Sequence, residues 1–233
     1  MNASRSARER VRAELSREIT EIARRQLATE GAAGLSLRAV AREMGMVSSA
    51  IYRYFPSRDD LLTTLIIDGY NAVGEAVEKA EAGCPRADYP GRWLASCQAV
   101  RGWALAHPHE YALVYGSPVP GYRAPERTIG PASRAAAVFG KIVSDAQRGG
   151  AMAEPGAWPP APGSFAADAE RLRDSVLAGV PDDVAVRTVA AWAGLFGLVS
   201  FELFGQFENV VTDRDAFFAS AAASLGRLVG LQA

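Results

Sequence analysis

The apolar and polar positions of this chain repeat with a helical period almost from end to end. From Arg10 to Glu30, the residues Val11, Leu15, Ile19, Ile22, Ala23 and Leu27 form one stripe, which Gly31 ends; residues 32–35 are the link that follows. Leu37, Val40, Ala41 and Met44 then stand at i, i+3, i+4 and i+7, which predicts a second helix with Ser36 as its N-cap and Gly45 at its close. A short third helix begins near Ser48. At 100° per residue Val47, Ile51, Tyr54 and Phe55 share one side, while Ser49, Tyr52 and Arg53 share the other. Pro56 stops that helix, and Ser57-Arg58-Asp59-Asp60 reads as a capping box opening a long helix from Asp59 to about Ala82. Further helices are predicted over residues 91–107, 110–115, 132–146, 165–179, 181–207 and 213–231. Residues 116–125 and 149–164 are studded with Pro and Gly and read as loops.

No strand-like alternation and no internal repeat interrupts this pattern, so the expected fold class is all-α. The expected organisation is a flexible basic arm over residues 1–9 carrying Arg5 and Arg8, a three-helix head over 10–57, and a larger helical domain over 58–233. Within the head, helix, Gly turn and short helix make a helix-turn-helix, which presents its second helix to double-stranded DNA. Ser48, Ser49, Ala50 and Arg53 are assigned to base edges, where an Arg can pair with guanine. Tyr52, Tyr54 and Arg58 are assigned to phosphates, and Ser36 and Arg38 on the preceding helix complete the DNA-binding set.

Leu35-Ser36, Val40-Ala41, Gly45, Ile51-Tyr52, Tyr54-Phe55, Ser57-Arg58 and Leu61-Leu62 together resemble the DNA-binding domain of the TetR/AcrR family of bacterial transcriptional regulators. The likeness covers about residues 12–65. One position departs from the pattern, since the family usually has Lys where this chain has Arg58; either cation can reach a phosphate. Two such heads in a homodimer are expected to read a palindromic operator. A second stretch, Trp103 to Tyr122 with His107, Tyr111, Gly116, Pro118 and Pro120 between, is similar to the ligand-side domain of the TetR branch labelled WHG. That likeness implies a small-molecule effector.

Composition sharpens the picture only locally. The net charge of −1 names no nucleic-acid partner, yet residues 1–60 hold eleven Arg and no Lys against eight acids, a balance of +3 that leaves −4 for the rest. The charged N-terminus lacks a signal-peptide core, and the longest uncharged run, Thr188 to Phe201, is short for a bilayer; a cytoplasmic protein with no membrane partner is expected. Cys84 and Cys97 have no metal-ligand spacing and read as free thiols. His107 and His109 lack the further ligands a metal site needs, and no P-loop, Rossmann or nucleophile-elbow pattern occurs, so neither a metal, a cofactor nor an enzyme is expected. His107, before Pro108, reads as a helix C-cap.

The larger domain is rich in aromatics at helical spacing, including Trp192 and Phe196. An apolar pocket is expected beside the long helix from Asp59, between it and the helices of residues 91–107 and 132–146. Its candidate ligand-binding residues are Trp93, Gln98, Arg101, Trp103, His107, Tyr111, Tyr115, Tyr122 and Phe139. The helix over 181–207 is apolar on nearly every face, and with the last helix it is expected to form a dimer interface through Ala190, Ala193, Gly194, Gly197, Phe201, Phe217 and Leu225. The functional expectation is a homodimeric repressor released from its operator by a small apolar or aromatic ligand. A dimeric regulator without such a ligand, controlled by a protein partner or by abundance, is the open alternative.

Overall fold

The computed structural model describes residues 2–153 and 158–232, with side chains from residue 7 onward. Ten α-helices account for most of it: α1 Asn2–Gly34, α2 Leu37–Glu43, α3 Ser48–Ile51, α4 Arg58–Ala82, α5 Tyr89–Ala106, α6 Pro108–Tyr115, α7 Ile129–Arg148, α8 Ala166–Ser175, α9 Asp182–Leu203 and α10 Arg214–Val229. Short 3₁₀ turns precede α7 and α8. Among the described residues the only β-type pairing is an isolated bridge between Met152 and Leu231. The expected all-α class is what the chain adopts.

Two compact units divide the chain. The first takes residues 1–69 together with 107–129, the second residues 70–106 and 130–233. Helix α4 therefore contributes to both, and α6 with the loop after it belongs to the head unit, which the pattern of the sequence had placed in the larger domain.

In the first unit the core is built from Ile19, Ile22, Ala23 and Leu27 of α1, Leu37, Val40 and Ala41 of α2, Ile51 and Phe55, and Leu61, Leu62 and Leu65 of α4, all buried. The predicted α1 stripe is buried only from Ile19 onward: Leu15 is half-buried and Val11 is 60% exposed. Residues 2–9, expected as a flexible arm, continue α1 as helix, while Met1 lies outside the described residues. Gly31 (φ 68°, ψ 177°) breaks the helical run where the sequence places its end. Gly45 takes the left-handed conformation (φ 66°), so that its N–H reaches the Arg42 carbonyl and the Met46 N–H reaches the Ala41 carbonyl. A side chain with a Cβ would be strained there, which is why Gly closes this helix. Ser57 and Asp60 form the capping box, with the Ser57 hydroxyl accepting from the Asp60 N–H at 3.1 Å and donating to the Asp60 carboxylate at 2.7 Å. His107 follows directly on Ala106, the last residue of α5, where the sequence places it, and is at the same time the N-cap residue of α6, because Pro108 is pre-organised for the first helical turn.

In the second unit α10 packs on α9 and α5, α5 on α9, and α8 on α9. By length and hydropathy α9 could cross a bilayer; here Ala185, Ala191, Leu195 and Val199 on its inner side are buried. Small residues set the close approaches. A Cβ on Gly140 of α7 would lie 2.0 Å from the Val176 carbonyl oxygen, and one on Gly226 of α10 would lie 3.0 Å from the Trp93 ring. Beside that contact the Trp93 indole N–H donates to the Ala222 carbonyl at 3.0 Å. The loop over 149–164 is irregular where described; residues 154–157 of it lie outside the described residues.

Candidate nucleic-acid interface

Helix α3 is a single turn, followed by turn residues 52–54, and its one buried side chain is Ile51. That anchor fixes which side faces out. Ser48, Ser49, Tyr52 and Arg53 are all exposed, Tyr52 at 42% despite its aromatic ring, and Ala50 is half-buried. Val47, expected on the buried side, precedes α3 as its N-cap residue and is 71% exposed. On α2, Arg38 is exposed and Ser36 is the N-cap, its hydroxyl accepting from the Ala39 N–H. Arg42, one turn beyond Arg38 on the same face, is exposed as well, a residue the sequence reading passed over. Among the described residues, the guanidinium groups of Arg38, Arg42 and Arg53 make no ion pair or hydrogen bond, so all three cations stay available to an anion.

Two other arginines of the head act internally. Arg12 of α1 donates to the Arg53 carbonyl at 2.9 Å and lies over the Tyr54 ring, 5.7 Å from its centre. It thereby ties the turn after α3 to α1 and engages Tyr54, which is half-buried. Nothing in the spacing of Arg12 marks it for this role. Arg58, assigned to a phosphate, turns to backbone carbonyls here. Its guanidinium donates to the carbonyls of Ala32 (2.7 Å), Ala33 (3.4 Å) and Leu35 (3.2 Å). Carbonyls at the end of a helix have no partner inside it and carry partial negative charge, so they hold a cation. The role visible for Arg58 is a clasp across the end of α1 and the start of α2.

The candidate ligand residues divide between the two units. Tyr111, Tyr115, Tyr122 and His107 belong to the first unit. There Tyr111 is buried with its ring 5.2 Å from that of Tyr115, and the Tyr122 hydroxyl is 2.8 Å from that of Thr63. In the second unit Gln98 is exposed. Arg101 makes two 2.7 Å bonds to the Glu202 carboxylate and pairs with Asp215 at 2.7 Å, which raises its already high pKa further. Trp103 is buried but lines no cavity described here.

Of the nine candidates, Trp93 and Phe139 line one apolar cavity, which holds about 160 Å³. It is walled by Ala136, Phe139 and Gly140 of α7, by Leu172 and Val176 at the end of α8, and by Thr188, Val189 and Trp192 of α9. No α4 residue lines this cavity, which opens between α7, α8 and α9. The sequence reading missed it because α8 is short and mostly polar, and its few apolar residues give no aromatic signal. Phe139 stands edge-on to both Trp93 (5.0 Å) and Trp192 (5.5 Å).

The expected dimer residues divide likewise. Ala193 and Phe201 are exposed on α9, Ala190 and Gly197 are half-buried, and a Cβ on Gly197 would meet open space. Phe217 is exposed on α10. Gly194 and Leu225, by contrast, serve the fold of the chain itself: a Cβ on Gly194 would fall 2.9 Å from the Leu225 side chain. At the end of α9 the rings of Phe201, Phe207 and Phe217 meet edge-to-face.

Comparison with known proteins agrees with this arrangement. The family profile described as "Bacterial regulatory proteins, tetR family" matches residues 19–65, and that described as "Tetracyclin repressor-like, C-terminal domain" matches residues 93–225. The chain is similar to the HTH-type transcriptional regulator Rv1816 of Mycobacterium tuberculosis, 41% identical over 216 residues that span 92% of this chain and 90% of the relative. The crystal structure of the regulatory protein SCO4313 superposes with a TM-score of 0.76 at 34% identity, covering 93% of this chain and 97% of that one. A protein of unknown function from Rhodococcus sp. RHA1 superposes with a TM-score of 0.69 at 25% identity, covering 93% and 95%.

Proposed function

The chain belongs to the TetR family of DNA-binding transcriptional regulators, and from that premise we propose that it acts as a homodimeric repressor, released from its operator by a small apolar molecule. The observation that carries the DNA-facing part is the set of unengaged cations, Arg38, Arg42 and Arg53, around the exposed face of α3. Arg53 reads a guanine edge, Ser48, Ser49 and Ala50 pack on neighbouring bases, and Tyr52 and Arg38 hold phosphates. Tyr54, restrained by Arg12, supports that surface from behind.

Dimerisation is supported by the outer face of α9, where Val189, Ala193, Gly197 and Phe201 recur every fourth residue and leave apolar surface open. Such a face on each of two copies is self-complementary across a two-fold axis, and two heads related by that axis read a palindrome. The cavity supports the ligand. Acting on DNA in a bacterium, the protein works in the cytoplasm.

Selection of binding sites from random duplexes with the full chain tests the reading. A palindromic consensus, with complexes sedimenting as a dimer on one site, is expected. A consensus with one half-site bound by a stable monomer would overturn the dimer. Gly197→Glu should produce monomers with weakened operator binding, since a carboxylate is then set in the middle of the apolar face.

A further inference from the structure

We propose that the cavity between α7, α8 and α9 takes an uncharged ligand the size of a single substituted aromatic ring. This names the chemical class of the effector in the reading above, and rests on that reading only for its consequence on DNA. Size is the first argument. The cavity holds about 160 Å³, close to the dry apolar cavity of about 150 Å³ that binds benzene in an unrelated protein. A fused three-ring molecule exceeds it.

Chemistry is the second argument. No titratable side chain lines the cavity. The Thr188 hydroxyl is already donated to the Val184 carbonyl at 2.7 Å, and the Trp93 indole N–H to Ala222. Apart from the Trp192 indole N–H, the side chains of the wall have no donor left for an anion, and a carboxylate placed there would be stripped of water without compensation. Shape is the third. Phe139 stands between Trp93 and Trp192 with interplanar angles of 81° and 79°, so the wall presents ring faces and edges at right angles. An aromatic ligand extends that edge-to-face packing. Gly140 brings the α7 backbone against the Val176 carbonyl and closes the floor, while Val189 on the exposed side of α9 stands at the rim.

The test uses the full chain titrated with toluene, benzoate and fluorene, followed by calorimetry and tryptophan fluorescence. Toluene should bind once per subunit, benzoate should bind ~100-fold more weakly or worse because of its buried unpaired charge, and fluorene should not bind measurably. Ala136→Leu, which fills the cavity, should weaken toluene at least ~10-fold. Trp192→Phe should remove most of the fluorescence response, while Trp158→Phe, an exposed tryptophan outside the wall, should keep it. Benzoate binding as tightly as toluene, or a folded Ala136→Leu protein with full toluene affinity, would overturn the assignment. Should Ala136→Leu fail to fold, a response undiminished in both Trp93→Phe and Trp192→Phe overturns it instead. Operator release separates the two readings: toluene bound in the cavity without loss of DNA upholds the ligand class and removes ligand-triggered release. Release by a compound indifferent to a folded Ala136→Leu change does the reverse.

Discussion

Arginine is put to opposite uses in the two units. In the second, each Arg whose surroundings are described meets a carboxylate, except Arg227, which donates to Ser224. Arg92 is fully buried and donates to Glu81 (2.7 Å), Asp145 (2.8 Å) and the Arg86 carbonyl (3.0 Å). Arg134 holds Glu78 through two bonds and also reaches Asn71. In the head, Arg17, Arg24, Arg25 and Arg127 also pair with acids, but among the described residues Arg8, Arg10, Arg38, Arg42, Arg53 and Arg123 keep their charge unengaged. A unit that must meet a polyanion keeps its cations in water, where binding releases counterions. A unit that must enclose an apolar cavity neutralises its charges against one another. The overall charge of −1 conceals this division.

The comparison breaks most visibly at Arg92. Burial pushes Glu81 up, but the bonds from Arg86 and Arg92 outweigh it and leave the carboxyl below its ordinary value; Asp145 is held down in the same way by Arg92 and Arg148. Removing the cation breaks its pairs with Glu81 and Asp145 and leaves each carboxylate to one more exposed arginine, Arg86 or Arg148, so Arg92→Leu should cost ~3 kcal/mol of stability by denaturant unfolding. The sign of the pH effect follows from the lowered values. The wild-type contribution is present above the unfolded values, about 4, and is lost as pH falls through the lower folded ones. In Arg92→Leu the folded values are held down less, so less stability should be lost as pH falls below about 4.

Gly140→Ala is expected to come next, at ~1–3 kcal/mol, because the added methyl would overlap the Val176 carbonyl. Its thermal unfolding should fall while operator selection by the surviving folded protein keeps its consensus. Arg53→Ala and Arg58→Ala test the head. Arg53→Ala should lose ~1–3 kcal/mol of discrimination at one base pair of each half-site, with little change in melting temperature. Arg58→Ala should lower the melting temperature and leave base preference intact, since its bonds go to carbonyls of its own chain. An unchanged melting temperature with a salt slope flattened by about one would return Arg58 to the phosphates. The smallest effect is Arg12→Ala, ~0.5–1.5 kcal/mol from one hydrogen bond, seen as a uniform loss of affinity for all operators in a binding titration.

The sequence by itself determined the elements. Helical period, the Ser36 N-cap, the left-handed Gly45, the Ser57–Asp60 capping box and Pro108 are local instructions, and local backbone chemistry carries them out wherever the helix then packs. The outward face of α3 was legible for the same reason, since one buried Ile51 and a 100° step place Tyr52 and Arg53 in solvent. Tertiary structure alone decided the rest. Whether an arginine points to DNA or caps the end of α1 depends on carbonyls more than twenty residues away, as Arg58 shows. Which aromatics share a cavity depends on how α7, α8 and α9 meet, and that meeting is fixed by Gly140 against Val176 and not by aromatic spacing. A glycine on an apolar helix also reads the same in sequence whether it faces open space, as Gly197 does, or already receives Leu225, as Gly194 does. Spacing along one helix is a one-dimensional quantity, and it carries no record of the surface that comes to face it.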